Sequence, residues 1–254
     1  MARTVGDCAL LSNVISGRHP HDVASLPDPP QLPTGDGGSI ASMRIALCLR
    51  LGDFPLEPEV ERNTRAVAAQ LVLAGATVVE VELPWTTELM MKAANAHFGT
   101  IFGIFGSSVG SELSEHADLL TPYAKKFAEK QASELNFVQG MELEGRLYNP
   151  LGELLVDYDA MICPTMGTRG YPVGEDYVDT GCVVNGVEYS DYLLTALTLP
   201  FNMFSRCPVL AVPSGLADNG VPTGVQIVGR TYDDLTTFRI GHALQTVVGG
   251  FPHP

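Results

Sequence analysis

A serine between two glycines is the first feature of this sequence whose residue types could do chemistry. Residues 106–110 read Gly-Ser-Ser-Val-Gly, which matches the Gly-x-Ser-x-Gly elbow that carries the nucleophile in many serine hydrolases. Asp191 or Asp218, and then His242, follow in the chain order that such a triad requires. The pattern needs a strand before Ser108 and a helix after it, and the chain has no His-Gly-Gly-Gly type of oxyanion segment. The residues therefore favour a turn between helices, with a Ser108 esterase as an alternative.

Two shorter clusters suggest binding. His19-Pro-His21-Asp22 places two imidazoles and a carboxylate together, but no third ligand lies nearby, which favours a surface turn over a metal site. Asp36-Gly-Gly-Ser39 is a short glycine loop that no lysine-bearing helix start follows, which favours a linker over a phosphate cradle. The five cysteines form no C-x-x-C pair and no Cys/His ligand spacing. We therefore predict that the protein uses neither a metal nor an organic cofactor.

Three apolar runs predict the elements that would position a site. Ala160–Cys163, Val209–Val212 and Val225–Val228 are short, rich in β-branched residues and bounded by glycine or proline. Such runs are typical of strands that are buried on both faces, because no polar face is left to alternate. They predict the central strands of one sheet that helices cover on both sides.

The first third of the chain predicts a parallel βαβ unit. Arg44–Leu49 is expected to form a strand, Glu59–Leu73 a helix and Thr77–Leu83 a second strand, joined by short links. An amphipathic helix is expected over Met1–Gly17. Residues 18–42, which are rich in proline, predict an extended connection or linker.

The rest of the chain predicts mostly helices around the three buried runs. Residues 85–156 are expected to form separate helices, broken by glycine and serine near Phe102–Ser111. A helix is expected around Tyr189–Leu199, ending at Pro200, and a terminal helix over Asp233–Val247, with Asp218–Gly220 as a turn between two strands. The sequence thus predicts an α/β fold with a mixed, covered sheet and flanking helices.

Composition excludes several classes of function. A net charge of -14, with 29 acidic residues scattered along 254, argues against nucleic-acid binding, which needs clustered lysine and arginine. No apolar stretch approaches 18 residues, so no membrane partner is expected. The absence of a disulfide-like cysteine pattern favours a reduced, cytoplasmic protein. A homodimer is compatible with the sequence.

Six segments, in this order, resemble the amidase signature family over essentially the whole chain. The first resembles Gly-Pro-Met-Ala-Arg-x-Val-x-Asp without its Gly-Pro, and the second a Gly-x-Asp-x-x-Asp turn in which histidine replaces the first aspartate. The segments are Met1-Ala-Arg-Thr-Val-Gly-Asp7, Gly17-Arg-His-Pro-His-Asp22, the βαβ unit, Tyr158-Asp-Ala-x-x-x-Pro-Thr165, Pro200-Phe-Asn202 and Val221-Pro-Thr-Gly-Val-Gln226.

The resemblance implies an amidase mechanism but also an incomplete catalytic set. Family members hydrolyse amides through an acyl-enzyme, with a serine nucleophile, a serine in a cis peptide and a lysine base. In the family these groups precede the segment that matches Met1–Asp7, and this chain has no Gly-Gly-Ser-Ser-Gly-Gly loop. We therefore expect residues 1–254 to form a single domain, the C-terminal portion of an amidase-signature fold, that is inactive by itself. The alternative is a non-catalytic remnant that binds a partner or a small ligand.

Two groups of site residues follow from the resemblance. Arg3 and Asp7 match positions packed near the nucleophile loop, where they would support that loop; a surface ion pair is the alternative. Thr165 and Met166 come just after a buried strand, where an α/β sheet places a pocket wall for the small amide substrate.

One further position bears on the choice of substrate. The amidotransferase branch of the family, which serves tRNA charging, has an acidic substrate-binding residue seven positions before the asparagine that matches Asn202. This chain has Thr195 there. The resemblance therefore implies a substrate pocket without that carboxylate and argues against the tRNA-linked branch.

Overall fold

The chain folds into three layers, with one sheet between two layers of helices. This computed structural model describes residues 1–26, 29–112, 118–122, 125, 135–174, 177, 180–190 and 192–251, with residues 100–112 described by their backbone only. The helices are α1 (Val5–Ile15), α2 (Pro58–Leu73), α3 (Thr87–Glu112), α4 (Phe137–Asp157), α5 (Leu199–Met203) and α6 (Asp234–Val247). The strands are β1 (Arg44–Leu47), β2 (Thr77–Glu80), β3 (Ala160–Pro164), β4 (Cys182–Val184), β5 (Val187–Tyr189), β6 (Val209–Leu216) and β7 (Pro222–Gly229).

The main sheet is mixed, with strand order β2-β1-β3-β7-β6. β1 runs parallel to β2 and β3, as predicted for a βαβ unit, whereas β7 runs antiparallel to β3 and β6. In the β3–β7 register Ala160 pairs with Gly229 and Pro164 with Val225. β4 and β5 form a separate hairpin. The predicted α/β class with a mixed sheet is confirmed.

Two apolar clusters cover the two faces of the sheet. On one face Ile45 and Leu47 of β1 pack with residues of α1, α2 and α6. On the other face Ala46 packs with residues of α3, α4 and the α5 segment. Adjacent residues of a strand point to opposite faces, so a run that is apolar throughout can supply both clusters.

The prediction that Val209–Val212 forms a central strand is wrong. β6 is an edge strand, and its burial alternates: Leu210 and Val212 are buried, whereas Val209 and Ala211 are exposed. Helices α2 and α6 contact one face of β6. The alternation was hidden in the sequence because the exposed positions are themselves apolar.

Two helix predictions are also wrong. Glycine and serine do not break the helix near residue 105, because α3 continues to Glu112. No α-helix spans Tyr189–Leu199; β5 ends at Tyr189, a single 3₁₀ turn follows at Tyr192–Thr195, and Pro200 lies in the first turn of α5. Proline is tolerated in a first helical turn because the N–H that it lacks would have no intrahelical partner there.

The proline-rich connection of residues 18–42 is tied to two helices. Asn13 of α1 donates to the carbonyl oxygen of Leu32 at 2.9 Å and accepts its N–H at 2.8 Å. His242 of α6 donates from Nε2 to the carbonyl oxygen of Pro33 at 2.7 Å. These contacts hold the second half of the connection against the helical layer.

Candidate functional site

Thr165 follows β3 directly, and its backbone and side chain both bond to β7. Its N–H donates to the carbonyl oxygen of Gly224 at 2.9 Å, and its Oγ1 donates to the same oxygen at 3.1 Å. A Cβ at Gly224 would lie 3.1 Å from Thr165 Oγ1, so glycine lets the two segments approach closely. The hydroxyl therefore fixes the carboxyl end of β3, and its role toward a substrate stays a prediction.

Met166 and Thr195, which the sequence separates by 28 residues, lie next to each other in the fold. Met166 forms an antiparallel bridge with Ala196, and the N–H of Gly167 donates to the carbonyl oxygen of Thr195 at 2.7 Å. All three residues proposed for a pocket wall thus lie at the carboxyl end of β3.

The hydroxyl of Thr195 is fully buried and already bonded. Its Oγ1 donates to the carbonyl oxygen of Tyr192 at 2.7 Å and accepts a hydrogen bond from the phenol of Tyr171. Burial raises the pKa of Tyr171, so this phenol stays neutral at physiological pH. The hydroxyl pair carries no charge, and a substrate would reach Thr195 only if Tyr171 moved; direct contact of Thr195 with substrate stays a prediction.

Gln226 joins three segments behind this wall. Its Nε2 donates to the carbonyl oxygens of Pro164 at 2.9 Å and Leu197 at 3.1 Å, and it lies 3.4 Å from the sulfur of Cys163. The side chain is almost fully buried in β7. Gln226 was recognised in the sequence as part of a motif, but its structural role was missed; a lone amide in an apolar run is the clue that indicates it.

A cluster of charged residues closes the same end of the sheet. Glu57, at the start of α2, accepts the N–H of Arg169 at 2.6 Å and the hydroxyl hydrogen of Thr168 at 3.2 Å. Arg169 pairs with Glu59 at 2.8 Å, and Glu59 also accepts the N–H of Asp218 at 3.2 Å. Sequence reasoning missed these residues because they come from three segments that only the fold brings together.

Arg3 and Asp7 lie at the exposed start of α1. The N–H of Asp7 donates to Thr4 Oγ1 at 3.0 Å, which caps the helix. Neither charged side chain forms an ion pair with another described residue, so the structure does not show the surface pair considered as an alternative. Their support of a nucleophile loop stays a prediction.

The Ser108 elbow is not present in the fold. Ser108 lies inside α3, so the strand that must precede an elbow nucleophile is absent. Asp218 pairs with Arg62 at 2.8 Å, and His242 donates to a backbone carbonyl, so this aspartate and histidine do not form a dyad. Asp191 lies outside the described residues.

The buried thiols are not nucleophiles. Burial raises the pKa of Cys48 to about 11 and raises the pKa of Cys163 well above its usual value, so both stay protonated near neutral pH. Within the described residues no group of three or more His, Cys, Asp or Glu side chains could hold a metal ion, and His19 Nδ1 accepts the N–H of His21 at 3.2 Å. No helix in the described part of the chain is long and apolar enough to cross a membrane.

Comparison with known proteins identifies one family over most of the chain. The model of the family described as Amidase matches residues 1–238. A glutamyl-tRNA(Gln) amidotransferase subunit from Chloroflexus aggregans is 29% identical over 273 residues, which cover 97% of this chain and 53% of that protein. The chain spans about half the length of the curated relatives it matches.

Solved structures share the fold. A bacterial aryl acylamidase of the amidase signature family superposes with a TM-score of 0.84 at 24% identity, over 97% of this chain and 52% of that one. A 6-aminohexanoate cyclic dimer hydrolase superposes with a TM-score of 0.72 at 23% identity, over 97% and 54% of the two chains. The three-layer arrangement described above therefore recurs within about half of each larger chain.

Proposed function

The chain belongs to the amidase family, and we propose that it forms the substrate-binding portion of an enzyme that hydrolyses carboxamide C–N bonds. The family match over residues 1–238 carries this proposal. Two similar proteins are named for amides, an aryl acylamidase and a hydrolase of a cyclic amide dimer. The proposed binding wall is the carboxyl end of β3, with Thr165, Met166 and the Thr195–Tyr171 pair, and the reaction uses neither a metal nor an organic cofactor.

We propose that the reactive groups come from polypeptide outside these 254 residues. The mechanism implied by the family uses a serine, a cis-serine and a lysine, and this sequence contains no Gly-Gly-Ser-Ser-Gly-Gly loop. At the carboxyl end of β3 the described polar side chains bond to one another, which leaves no nucleophile beside a base. Arg3 and Asp7, exposed and without ion-pair partners among the described residues, are available to support an added nucleophile loop. Residues 1–254 alone are therefore inactive.

The proposed substrate is a small, free amide. The curated relatives belong to a tRNA-linked amidotransferase, but Thr195 places an uncharged hydroxyl where that branch carries an acid. The net charge of -14 also disfavours association with tRNA. We place the enzyme in the cytoplasm, a compartment that keeps cysteines reduced, since all five are free.

Release of 4-nitroaniline from 4-nitroacetanilide tests the inactivity of residues 1–254. The purified chain is expected to release the aniline at the rate of buffer alone. A rate well above buffer that Ser108→Ala abolishes would support the elbow hydrolase, as would labelling of Ser108 by a fluorophosphonate. A rate above buffer that survives Ser108→Ala would place a complete catalytic set elsewhere in this chain. Activity in a longer polypeptide that adds upstream codons, but not in residues 1–254, is the result that supports completion.

A second candidate function is a non-catalytic binding protein, which the exposed apolar surface of α1 favours. Four side chains there are 48–75% exposed, namely Leu10, Leu11, Val14 and Ile15, and β6 leaves one sheet edge unpaired among the described residues. Exposed apolar patches and open sheet edges favour contact with another polypeptide. Sedimentation equilibrium tests the simplest form, a homodimer: self-association that Val14→Lys reduces would support it, and a monomer at all concentrations would exclude it.

A further inference from the structure

A cavity beside α4 lies away from the proposed substrate wall. It has a volume of about 270 Å³ and is lined by Met141, Glu144, Gly145, Tyr148, Met203, Phe204, Ser205, Arg206, Cys207 and Thr231. Thr231 follows β7 two residues after Gly229, and Gly229 pairs with Ala160 at the start of β3. The cavity therefore lies toward the amino end of β3, whereas Thr165 follows its carboxyl end.

Two opposite charges line this cavity without pairing with each other. Glu144 on α4 bonds through Oε1 to His97 Nδ1 at 2.7 Å, and its Oε2 has no hydrogen-bond partner among the described residues. Arg206, after α5, has an exposed guanidinium that pairs with no described carboxylate, although the chain carries a net charge of -14. A free anion acceptor and a free cation thus stand on separate walls.

The surface between these charges is apolar or already bonded. Met203 and Phe204 are buried, and the hydroxyl of Tyr148 bonds Thr231 Oγ1 at 3.0 Å. Burial raises the pKa of Cys207, so its thiol adds no charge. Glu144 and Arg206 are therefore the two lining groups with unused charged hydrogen-bonding capacity.

Gly145 gives the cavity one of its walls without a side chain. A Cβ placed there meets no atom within 4 Å. The position lies in a helix, where a side chain costs no backbone strain and glycine is the less stable choice by ~1 kcal/mol relative to alanine. A larger residue at this position would enter the cavity without displacing protein atoms.

We propose that this cavity is a second binding site, for a small aminocarboxylic acid with an apolar chain between its two charged ends. The ammonium group bonds Glu144 Oε2, the carboxylate bonds the Arg206 guanidinium, and the chain packs on Met203 and Phe204. The volume lies just under the lower bound of about 300 Å³ for sites of drug-sized ligands, which suits a ligand of amino-acid size. The site involves no catalytic group and does not depend on amide hydrolysis.

Calorimetry with three probes of equal chain length tests the match of both charges. The probe 5-aminopentanoate carries both, pentanoate lacks the amine and pentylamine lacks the carboxylate. We expect 5-aminopentanoate to bind the 254-residue chain at least about tenfold more tightly than either analogue, because each charged end adds a charge-assisted hydrogen bond. Equal affinities for all three, or no saturable binding of 5-aminopentanoate, would overturn the proposal.

Variants locate the site. Arg206→Gln should make 5-aminopentanoate bind no better than pentylamine, and Glu144→Gln should make it bind no better than pentanoate. Gly145→Leu should remove binding without lowering the melting temperature, whereas Asn149→Leu, an exposed position on the same helix outside the cavity, should leave binding intact. Unchanged binding in a folded Gly145→Leu variant would show that the ligand binds elsewhere.

Discussion

The two ends of β3 carry polar side chains in opposite states of pairing. At the carboxyl end, Glu57, Arg169 and Gln226 all bond to neighbouring groups of the protein. Toward the amino end, Glu144 keeps one oxygen unbonded among the described residues, and Arg206 pairs with none of their carboxylates. One end is closed by its own hydrogen bonds and the other borders an open cavity.

This difference separates two tasks that polar groups perform in a fold. A fully bonded network has little freedom, so it can hold a loop or a pocket wall in one geometry. Charged groups without partners gain most from a ligand that brings the missing charge. The closed end is therefore suited to position substrate beside added catalytic groups, and the open end is suited to bind a charged ligand by itself.

Matched glycine substitutions give the largest expected contrast between the two ends. A Cβ at Gly167 would lie 1.9 Å from the carbonyl oxygen of Pro55, a backbone atom that cannot move without shifting the segment before α2. We expect Gly167→Ala to lower the free energy of unfolding by about 3 kcal/mol. Gly145→Ala, whose Cβ enters open space in a helix, should raise it by ~0.5–1 kcal/mol.

Urea unfolding of the two variants and the parent chain measures this contrast. If both substitutions changed the free energy of unfolding by similar amounts, the two ends would be equally tolerant and the description of one as closed would fail.

The second prediction concerns the amide that holds the closed end together. Gln226→Met keeps a side chain of similar length but removes the donor to Pro164 and Leu197, and leaves both buried carbonyl oxygens with one partner fewer. We expect the free energy of unfolding to fall by about 2–3 kcal/mol, because buried polar groups lose their compensation. Gln245→Met is the matched control, since Gln245 accepts one hydrogen bond, from the N–H of Val5, at a partly buried position. A loss at Gln226 no greater than at Gln245 would show that the network does not hold this end.

Sequence reasoning located the strands of the closed end, although not their place in the sheet. The runs at Ala160 and Val225 form the adjacent strands β3 and β7, because both of their faces are buried. The run at Val209 has the same composition but lies at the edge. Composition reports which residues tolerate burial, whereas the order of strands depends on pairing partners far along the chain.

The candidate sites differed in the same way. Thr165 and Met166 could be placed because a residue that directly follows a buried strand must lie at that strand's end. The charge network of Glu57 and Arg169 and the cavity beside α4 could not be placed, since each is assembled from segments that are distant in sequence. Gln226 lies between these cases: its motif was visible, but its two carbonyl partners were not.

The smallest expected effect tests whether the closed network extends to the solvent-exposed rim of its end of the sheet. Arg62 Nη2 lies 2.8 Å from Asp218 Oδ1, and this hydrogen bond and charge hold the pKa of Asp218 below its usual value. A carboxyl group whose pKa is lower in the folded chain adds stability above its unfolded pKa, and that stability is lost as the pH falls through the folded pKa. Because both side chains are more than half exposed, solvent and salt screen the pair, and we expect no resolvable change in the free energy of unfolding.

Carboxyl carbon chemical shifts, followed by NMR between about pH 2 and pH 6, measure the pKa of Asp218 directly. In Arg62→Gln the pKa should rise toward the ordinary aspartate value, and added salt should move the parent chain in the same direction. A pKa that stays low in Arg62→Gln would assign the shift to other neighbours, and two of them belong to the closed network. Glu59 accepts the Asp218 N–H, and Arg169 pairs with Glu59 and contributes a further positive charge. In that case the rim would be continuous with the network, whereas full dependence on Arg62 would confine the closed end to its buried groups.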